Sequence, residues 1–168
     1  MFTLHATQKL LTRLGRPVPT PVDADSLARP TTTLGNWYGT VVPWRRPLAL
    51  FVNEATLLPV LAPLAPAASV MARFPQALAS ALSAHGVAPS FAAREGEGMR
   101  DYQLAKTANR SVVGVMVEFT HLADAFRDGV PDPDLLALAL RLSRTPCSPL
   151  YGKHISPDRE LAALLGLS

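Results

Sequence analysis

The side chains most suited to chemistry lie close together in one run, residues 106–111. The apolar residues after it recur at intervals of three and four, which predicts an amphipathic helix from about Val112 to Phe126 with one buried face. The first turn of a helix carries unpaired N–H groups and a partial positive charge, to which this run adds two cations. Alternatively, an Asn or Ser of the run simply caps a core helix beside solvated cations. The candidate anion site consists of Lys106, Asn109, Arg110 and Ser111.

More cations stand in the first half of the chain, where seven Lys and Arg residues precede position 85 against three Asp and Glu. Lys9, Arg13 and Arg16 follow helical spacing, and the resulting basic stripe is either a nucleic-acid contact or a solvated face. Trp44 precedes two arginines, so its ring could stack on a base while the guanidinium groups hold phosphate. The alternative is an aromatic anchor beside a turn. The candidate nucleic-acid surface is Lys9, Arg13, Trp44, Arg45 and Arg46.

Three residues are candidates for acid–base catalysis, although a solvated surface explains each of them as well. Glu54 follows an Asn at the tip of a predicted hairpin. Glu118 and His121 are three positions apart, which places them on one face of the predicted helix. The chain has no phosphate-binding glycine loop, no His-Glu-x-x-His, no paired cysteines and no Gly-x-Ser-x-Gly. Its four histidines are far apart, and we predict neither a metal site nor a cofactor.

The elements that would position these residues follow from apolar patterning. Residues 48–52 and 56–58 are apolar on both faces, which predicts a hairpin with a tight turn at 53–55, covered by helices or by an oligomeric partner. Residues 89–99 predict a weak helix or a loop, and residues 67–84 predict one helix, or two half-helices kinked at Pro75. The fold class is α+β: a small, mostly antiparallel sheet packed by about five helices. The strands begin near Phe2, Leu48, Thr56 and Tyr102, and the helices lie near Gln8, Gln76, Val112, Leu135 and Leu161.

The composition fits one globular domain, residues 1–168, with a proline-rich surface loop at about 17–30. Prolines interrupt the longest apolar stretch, so we expect no membrane-spanning helix. The N-terminus lacks the pattern of a secretory signal, and the single Cys147 cannot form an internal disulfide. Both observations favour the cytoplasm. The net charge of +3 permits binding of nucleic acid or phosphate but does not require it.

Five blocks of the sequence, in order, are typical of one family. The chain resembles an uncharacterised bacterial family carried as a domain of unknown function, some members of which are called plasmid-related proteins. The resemblance spans nearly the whole chain, implies a complete single-domain protein and suggests an association with mobile DNA. It implies no activity and no catalytic residues. The blocks are Leu4-His5-Ala6-Thr7-Gln8-Lys9-Leu10-Leu11, Leu34-Gly35-Asn36-Trp37-Tyr38, Leu50-Phe51-Val52-Asn53-Glu54, Lys106-Thr107-Ala108-Asn109-Arg110-Ser111 and Thr145-Pro146-Cys147-Ser148-Pro149.

Three functional hypotheses follow. The first is a cytoplasmic protein that binds phosphate or nucleic acid through a cationic helix N-terminus. The second is a protein-interaction module of a mobile-element or defence system, similar to an antitoxin, with a protein partner or a second copy of itself. The third is a nuclease-like enzyme that uses Glu54, Glu118 or His121.

Overall fold

The computed structural model describes residues 1–15 and 19–167; Arg16 of the predicted basic stripe, Pro17 and Val18 at the start of the predicted loop, and Ser168 lie outside it. The described part contains five strands and six α-helices, which confirms the α+β class. The strands are β1 (Phe2–Ala6), β2 (Trp37–Val42), β3 (Leu48–Asn53), β4 (Pro59–Pro63) and β5 (Tyr102–Lys106). The helices are α1 (Gln8–Leu14), α2 (Val70–Ala84), α3 (Pro89–Gly98), α4 (Arg110–Phe126), α5 (Leu135–Ser143) and α6 (Pro157–Leu165).

The five strands form one mixed sheet in the order β4-β3-β2-β1-β5. Strand β1 pairs in parallel with both β2 and β5, whereas β2, β3 and β4 form an antiparallel meander. This corrects the expectation of a mostly antiparallel sheet. The parallel pairs arise because helical connections return the chain to the same edge before it starts the next strand: α1 lies between β1 and β2, and α2 and α3 lie between β4 and β5.

Strand β2 was not predicted from the sequence, although it occupies the centre of the sheet. Gly39 breaks its apolar pattern, and the structure gives the reason for the glycine. A Cβ atom at position 39 would lie 2.8 Å from Leu10 Cδ2 of α1 and 3.2 Å from Leu4 Cδ1 of β1. The glycine therefore permits the close packing of α1 on the sheet, which no local pattern reports.

The second strand of the predicted hairpin is shifted along the chain. Residues 56–58 belong to the turn, and β4 begins only at Pro59. The Asn53 side chain builds this wide turn: its Oδ1 accepts hydrogen bonds from Ala55 N, Thr56 N and Thr56 Oγ1 at 3.1, 2.9 and 3.0 Å. Leu57, with a φ of 61°, then directs the chain into β4. The tight-turn prediction for residues 53–55 is wrong because these side-chain bonds replace a two- or three-residue hairpin loop.

Helices cover both faces of the sheet. One face packs against α1, α2 and α6, with Phe74 of α2 stacked on Phe51 of β3 at a ring-centroid distance of 3.9 Å. The other face packs against α4 and α5. All six residues of β3 are buried, because alternate side chains enter the two cores. The expectation that helices cover this apolar strand is confirmed.

Two alternatives that the sequence left open are decided by the structure. Residues 89–98 form a helix, α3, and α2 continues through Pro75 as one helix. The described part of the proline-rich loop lies along the outer edge of β5, where Val22 N donates to Leu104 O at 2.8 Å. Within the described residues, none of the helices combines the length and the apolar character needed to cross a membrane.

Candidate functional site

Three parallel strands end at the same edge of the sheet, here called the carboxyl edge, which carries Thr7, the turn 43–47 and residues 106–111. The neighbouring strands β1 and β5 are followed by helices on opposite faces, since α1 packs in one core and α4 in the other. In α/β sheets, such a divergence leaves a crevice at the carboxyl ends of the strands, where ligands bind. The fold thus directs attention to this edge independently of any motif.

The start of α4 is held by Asn109. Its Oδ1 accepts from Ser111 N at 2.9 Å and from Val112 N at 3.4 Å, so the side chain caps the helix. The backbone N–H of Asn109 donates to the Tyr38 hydroxyl at 2.9 Å. Asn109 is therefore a helix cap, which is the alternative to its role as an anion ligand. The cap satisfies two of the first-turn N–H groups that an anion would otherwise use. Lys106, Arg110 and Ser111 remain exposed around it.

Two aromatic side chains lie beneath the loop that leads into α4. The His5 ring stacks on the Tyr38 ring at a centroid distance of 4.6 Å. His5 Nδ1 lies 3.0 Å from the Lys106 carbonyl oxygen, and because a carbonyl only accepts, Nδ1 is the donor. Burial is the main cause of the raised pKa of Tyr38; the hydrogen bond from Asn109 N opposes this increase, and the nearby Glu54 carboxylate adds to it. His5 and Tyr38 thus fix the loop to the sheet and position the cations of the edge.

A crevice of about 250 Å³ opens at the carboxyl edge between α1 and α4. We call it the edge crevice. One wall is apolar and comes mainly from α4, with Val41 and Pro43 completing it. The polar side chains that line it are Thr7, Lys9, Thr40, Thr120 and His121. The hydroxyl oxygens of Thr7 and Thr40 lie 3.1 Å apart.

The cations of this edge differ in whether they have an ionic partner. Arg46 forms an exposed ion pair with Asp132 at 3.5 Å. Within the part of the chain that the structure describes, Lys9, Lys106 and Arg110 form no ion pair. No described carboxylate therefore neutralises their charges, and they raise the electrostatic potential of the edge.

The remaining residues of the predicted nucleic-acid surface are distributed over two elements. Arg13 is exposed on α1, and Arg45 is exposed in the turn between β2 and β3. Trp44 lies in the same turn, but the guanidinium of Arg127 covers one face of its ring at 4.2 Å. A base could therefore stack only on the other face of this indole.

The structure separates the three catalytic candidates. Glu54 lies on the turn after β3, where Asn53 is in register with the first residue of β2, and its carboxylate is close enough to Tyr38 to help raise the pKa of that hydroxyl. His121 lines the edge crevice. Glu118 contributes to raising the pKa of the buried Cys147 thiol to about 12, for which burial is the larger cause. Among residues 1–15 and 19–167, no group of three His, Cys, Asp or Glu side chains is placed to hold a metal ion.

Two features of the site were missed by sequence reasoning. Thr40 and the exposed Val117 line the crevice, yet neither stands in a recognisable motif. Thr7 caps α1, since its Oγ1 accepts from Leu10 N at 3.4 Å. The position of Thr7 in the crevice could be predicted only if β2 was known, because Thr40 of that strand forms the adjoining wall.

The fold and its edge define a class: a mixed five-stranded sheet between two helix layers, with cations around a crevice at the ends of its parallel strands. The sequence profile of the family described as "Domain of unknown function (DUF6933)" matches residues 3–160. The chain belongs to that family, as the resemblance to a domain of unknown function predicted. Comparison with curated proteins and with solved structures gave no match in either set.

Proposed function

We propose that this protein binds phosphate groups of a nucleic acid at its carboxyl edge. One observation carries the proposal: Lys9, Lys106 and Arg110 are exposed on neighbouring elements of one edge and form no ion pair with any described residue. Ser111 adds an exposed hydroxyl on the first turn of α4, and Asn109 orients that turn. Arg13, Arg45 and Arg46 extend the basic surface on both sides.

A polyanion suits this arrangement better than a single phosphate ion. The cations come from α1, from the end of β5, from the start of α4 and from the turn after β2, so they are spread over a surface and do not converge on one point. Each phosphate that a cation neutralises releases counterions, so the affinity of such a surface falls steeply with salt. The capped N-terminus of α4 offers few donors for a single deeply bound ion.

The test is a titration of the full chain with fluorescently labelled single-stranded and double-stranded oligonucleotides of about 20 nucleotides, followed by anisotropy between about 50 and 200 mM salt. We expect binding that weakens with salt. The variant K9Q/K106Q/R110Q should lower the affinity by at least about tenfold and reduce the slope of log K against log salt by about 2.

The matched control loses the same charge elsewhere: K153Q/R94Q/R159Q removes three exposed cations of α3, α6 and the loop before α6. It should keep nearly the full salt slope of the parent. Undetectable binding of every oligonucleotide at about 50 mM salt would contradict the proposal, as would equal losses in the two triple variants.

A second candidate function, a protein-interaction module, is favoured by another feature. A groove of about 310 Å³ runs beside the edge strand β4, between α2 and α5, and Leu136 on its rim is 38% exposed. The partner or second copy predicted from the apolar hairpin would meet it at the outer edge of β4, since β3 lies between β2 and β4 in the sheet. Sedimentation of the parent and of Leu136→Asp over a hundredfold range of concentration tests self-association: a concentration-dependent dimer that the variant loses would support it.

Three further expectations remain proposals: a bacterial origin with a link to mobile DNA, a cytoplasmic location, and a nuclease-like activity. No specific contact favours the nuclease, because His121 lines the edge crevice whereas Glu54, on the turn after β3, does not. Degradation of the labelled oligonucleotides in the same titration would reopen it.

A further inference from the structure

The edge crevice differs from the exposed cations around it, because it is a walled space with an apolar side. Val113, Met116 and Val117 of α4 form that side, and Val117 is 54% exposed although it is apolar. Water in contact with such a wall is displaced favourably by an organic group, whereas a phosphate ion alone would gain nothing there. The crevice therefore suits a ligand with an apolar body.

The titratable side chains of the crevice indicate the charge of the ligand that it favours. The titratable side chains that line it are Lys9 and His121, both exposed, and its lining contains no Asp or Glu. Neither residue forms an ion pair within residues 1–15 and 19–167. A ligand with an anionic group at the mouth and an apolar body inside is complementary to this arrangement.

Hydroxyl groups supply the remaining polar contacts. Thr120 Oγ1 donates its proton to Met116 O at 2.8 Å, so towards the crevice this oxygen can only accept. Thr7 Oγ1 and Thr40 Oγ1 share one hydrogen bond between them, which leaves one hydroxyl proton for a ligand. One acceptor-only oxygen and one available donor suit the mixed donors and acceptors of a nucleoside.

We infer that the edge crevice binds one nucleoside monophosphate unit, with the nucleoside against the apolar wall of α4 and the phosphate at Lys9 and His121. The volume of about 250 Å³ lies just below the roughly 300–1,000 Å³ usual for small-molecule sites, so the crevice has room for no more than one small ligand. The inference rests on the proposed function for its phosphate-binding edge. The same chemistry is offered by a free nucleotide and by the terminal nucleotide of a strand.

The test is a titration of the full chain, with labelled Val and Met methyl groups, by adenosine monophosphate in an NMR experiment. We expect shifts of the Val113, Met116 and Val117 signals, while Val130, which is exposed outside the crevice, stays unchanged. Adenosine should require at least about tenfold higher concentration, because it lacks the charged group that Lys9 contacts. Inorganic phosphate should leave the three methyl signals unmoved.

Two pairs of variants sharpen the result. Lys9→Gln should weaken adenosine monophosphate binding about tenfold, and Lys153→Gln, a matched change outside the crevice, should not. Val117→Phe should block the mouth of the crevice, whereas Val130→Phe should not. A protein whose crevice methyl signals do not move with millimolar adenosine monophosphate, or which responds equally to both members of each pair, overturns the inference.

Titration with oligonucleotides then shows whether the ligand is a free nucleotide or a strand terminus. The same titration separates failure of the crevice inference from failure of the proposed function. A strand with a 5′-phosphate that moves the crevice signals more than the 5′-hydroxyl strand identifies a strand terminus, and equal weak shifts identify a free nucleotide as the ligand. If Val117→Phe keeps salt-dependent oligonucleotide binding while no variant responds to adenosine monophosphate, the crevice inference fails and the proposed function stands. If adenosine monophosphate binds but no oligonucleotide does, the inference stands without the extended surface.

Discussion

The two edges of the sheet use polar residues in opposite ways. At the amino edge, where β1, β2 and β5 begin, the side chains of Glu95 and Asn36 are partnered. Both carboxylate oxygens of the buried Glu95 accept backbone N–H groups, from Thr33 at 3.0 Å and Leu34 at 2.9 Å. The Oδ1 of Asn36 accepts from Thr3 N at 2.9 Å. At the carboxyl edge, Lys9, Lys106 and Arg110 are exposed without an ionic partner among the described residues.

This difference separates polar residues that stabilise the fold from polar residues that the fold leaves exposed. A buried polar group must be hydrogen-bonded, because leaving it unpaired costs a large part of the stability of a domain. Exposed cations contribute little to folding, and like charges gathered at one edge slightly oppose it. The amino edge thus holds the loop 31–36 against the sheet, whereas the carboxyl edge retains charge that the fold does not use. The following predictions test that contrast, from the largest expected effect to the smallest.

The largest effect is expected for Asn53→Ala. Asn53 is fully buried, accepts three hydrogen bonds in its own turn, and donates to Leu34 O at 2.8 Å. Its loss leaves several buried groups unpaired and should lower the free energy of unfolding by about 3–5 kcal/mol. Urea unfolding measures this. The adjacent Glu54→Ala should change stability by less than about 0.5 kcal/mol. A similarly small loss for Asn53→Ala would contradict the structural role of the buried polar residues.

Glu95→Ala should cost about 2–4 kcal/mol, because two backbone N–H groups lose a charged acceptor and one of them, that of Leu34, is buried. The comparison is Glu97→Ala on the same helix. Glu97 pairs with Arg100 at 3.0 Å, but both side chains are mostly exposed, so its removal should cost less than about 1 kcal/mol. Parallel denaturation curves measure both, and equal costs would show that burial does not govern the role of Glu95.

Asn109→Ala should cost about 1 kcal/mol, the usual value of a lost helix cap. Asn109→Asp keeps an acceptor for Ser111 N and Val112 N and should retain nearly all of the stability. Asn109 is thus the exception at the carboxyl edge, a polar residue that the fold does use. If the free energy of unfolding of Asn109→Ala is unchanged, Asn109 does not stabilise the fold and is again a candidate anion ligand.

The smallest effects on stability are expected for Lys9→Gln, Lys106→Gln and Arg110→Gln. Each should change the free energy of unfolding by less than about 0.5 kcal/mol, with a slight gain possible at low salt, since no ion pair with a described residue is lost. The same variants, combined, should reduce oligonucleotide binding. A loss of more than about 1 kcal/mol in any of them would indicate a structural role and contradict the division between the edges.

The helices and their caps were predictable because their signals are local. Asn109, one of the two residues of its run expected to cap a helix, caps α4; Thr7 and Asp134 cap α1 and α5 in the same way, and Pro157 stands in the first turn of α6. Periodicity of three and four marked α4 and α5 because a helix buries one stripe whatever it packs against. The polar character of residues 106–111 was likewise predictable from the sequence, but the hydrogen bonds that Asn109 forms were not.

Strand β2, the mixed sheet and the crevice were not predictable, because each depends on residues far apart in the chain. Gly39 is explained only by Leu10, and Thr40 becomes a crevice residue only beside Thr7. The sequence by itself determined most of the helical segments and that the chain carries unbalanced cations. Tertiary structure alone decided which cations share an edge, because parallel pairing of β1 with β2 and β5 is a non-local choice made by packing the two cores.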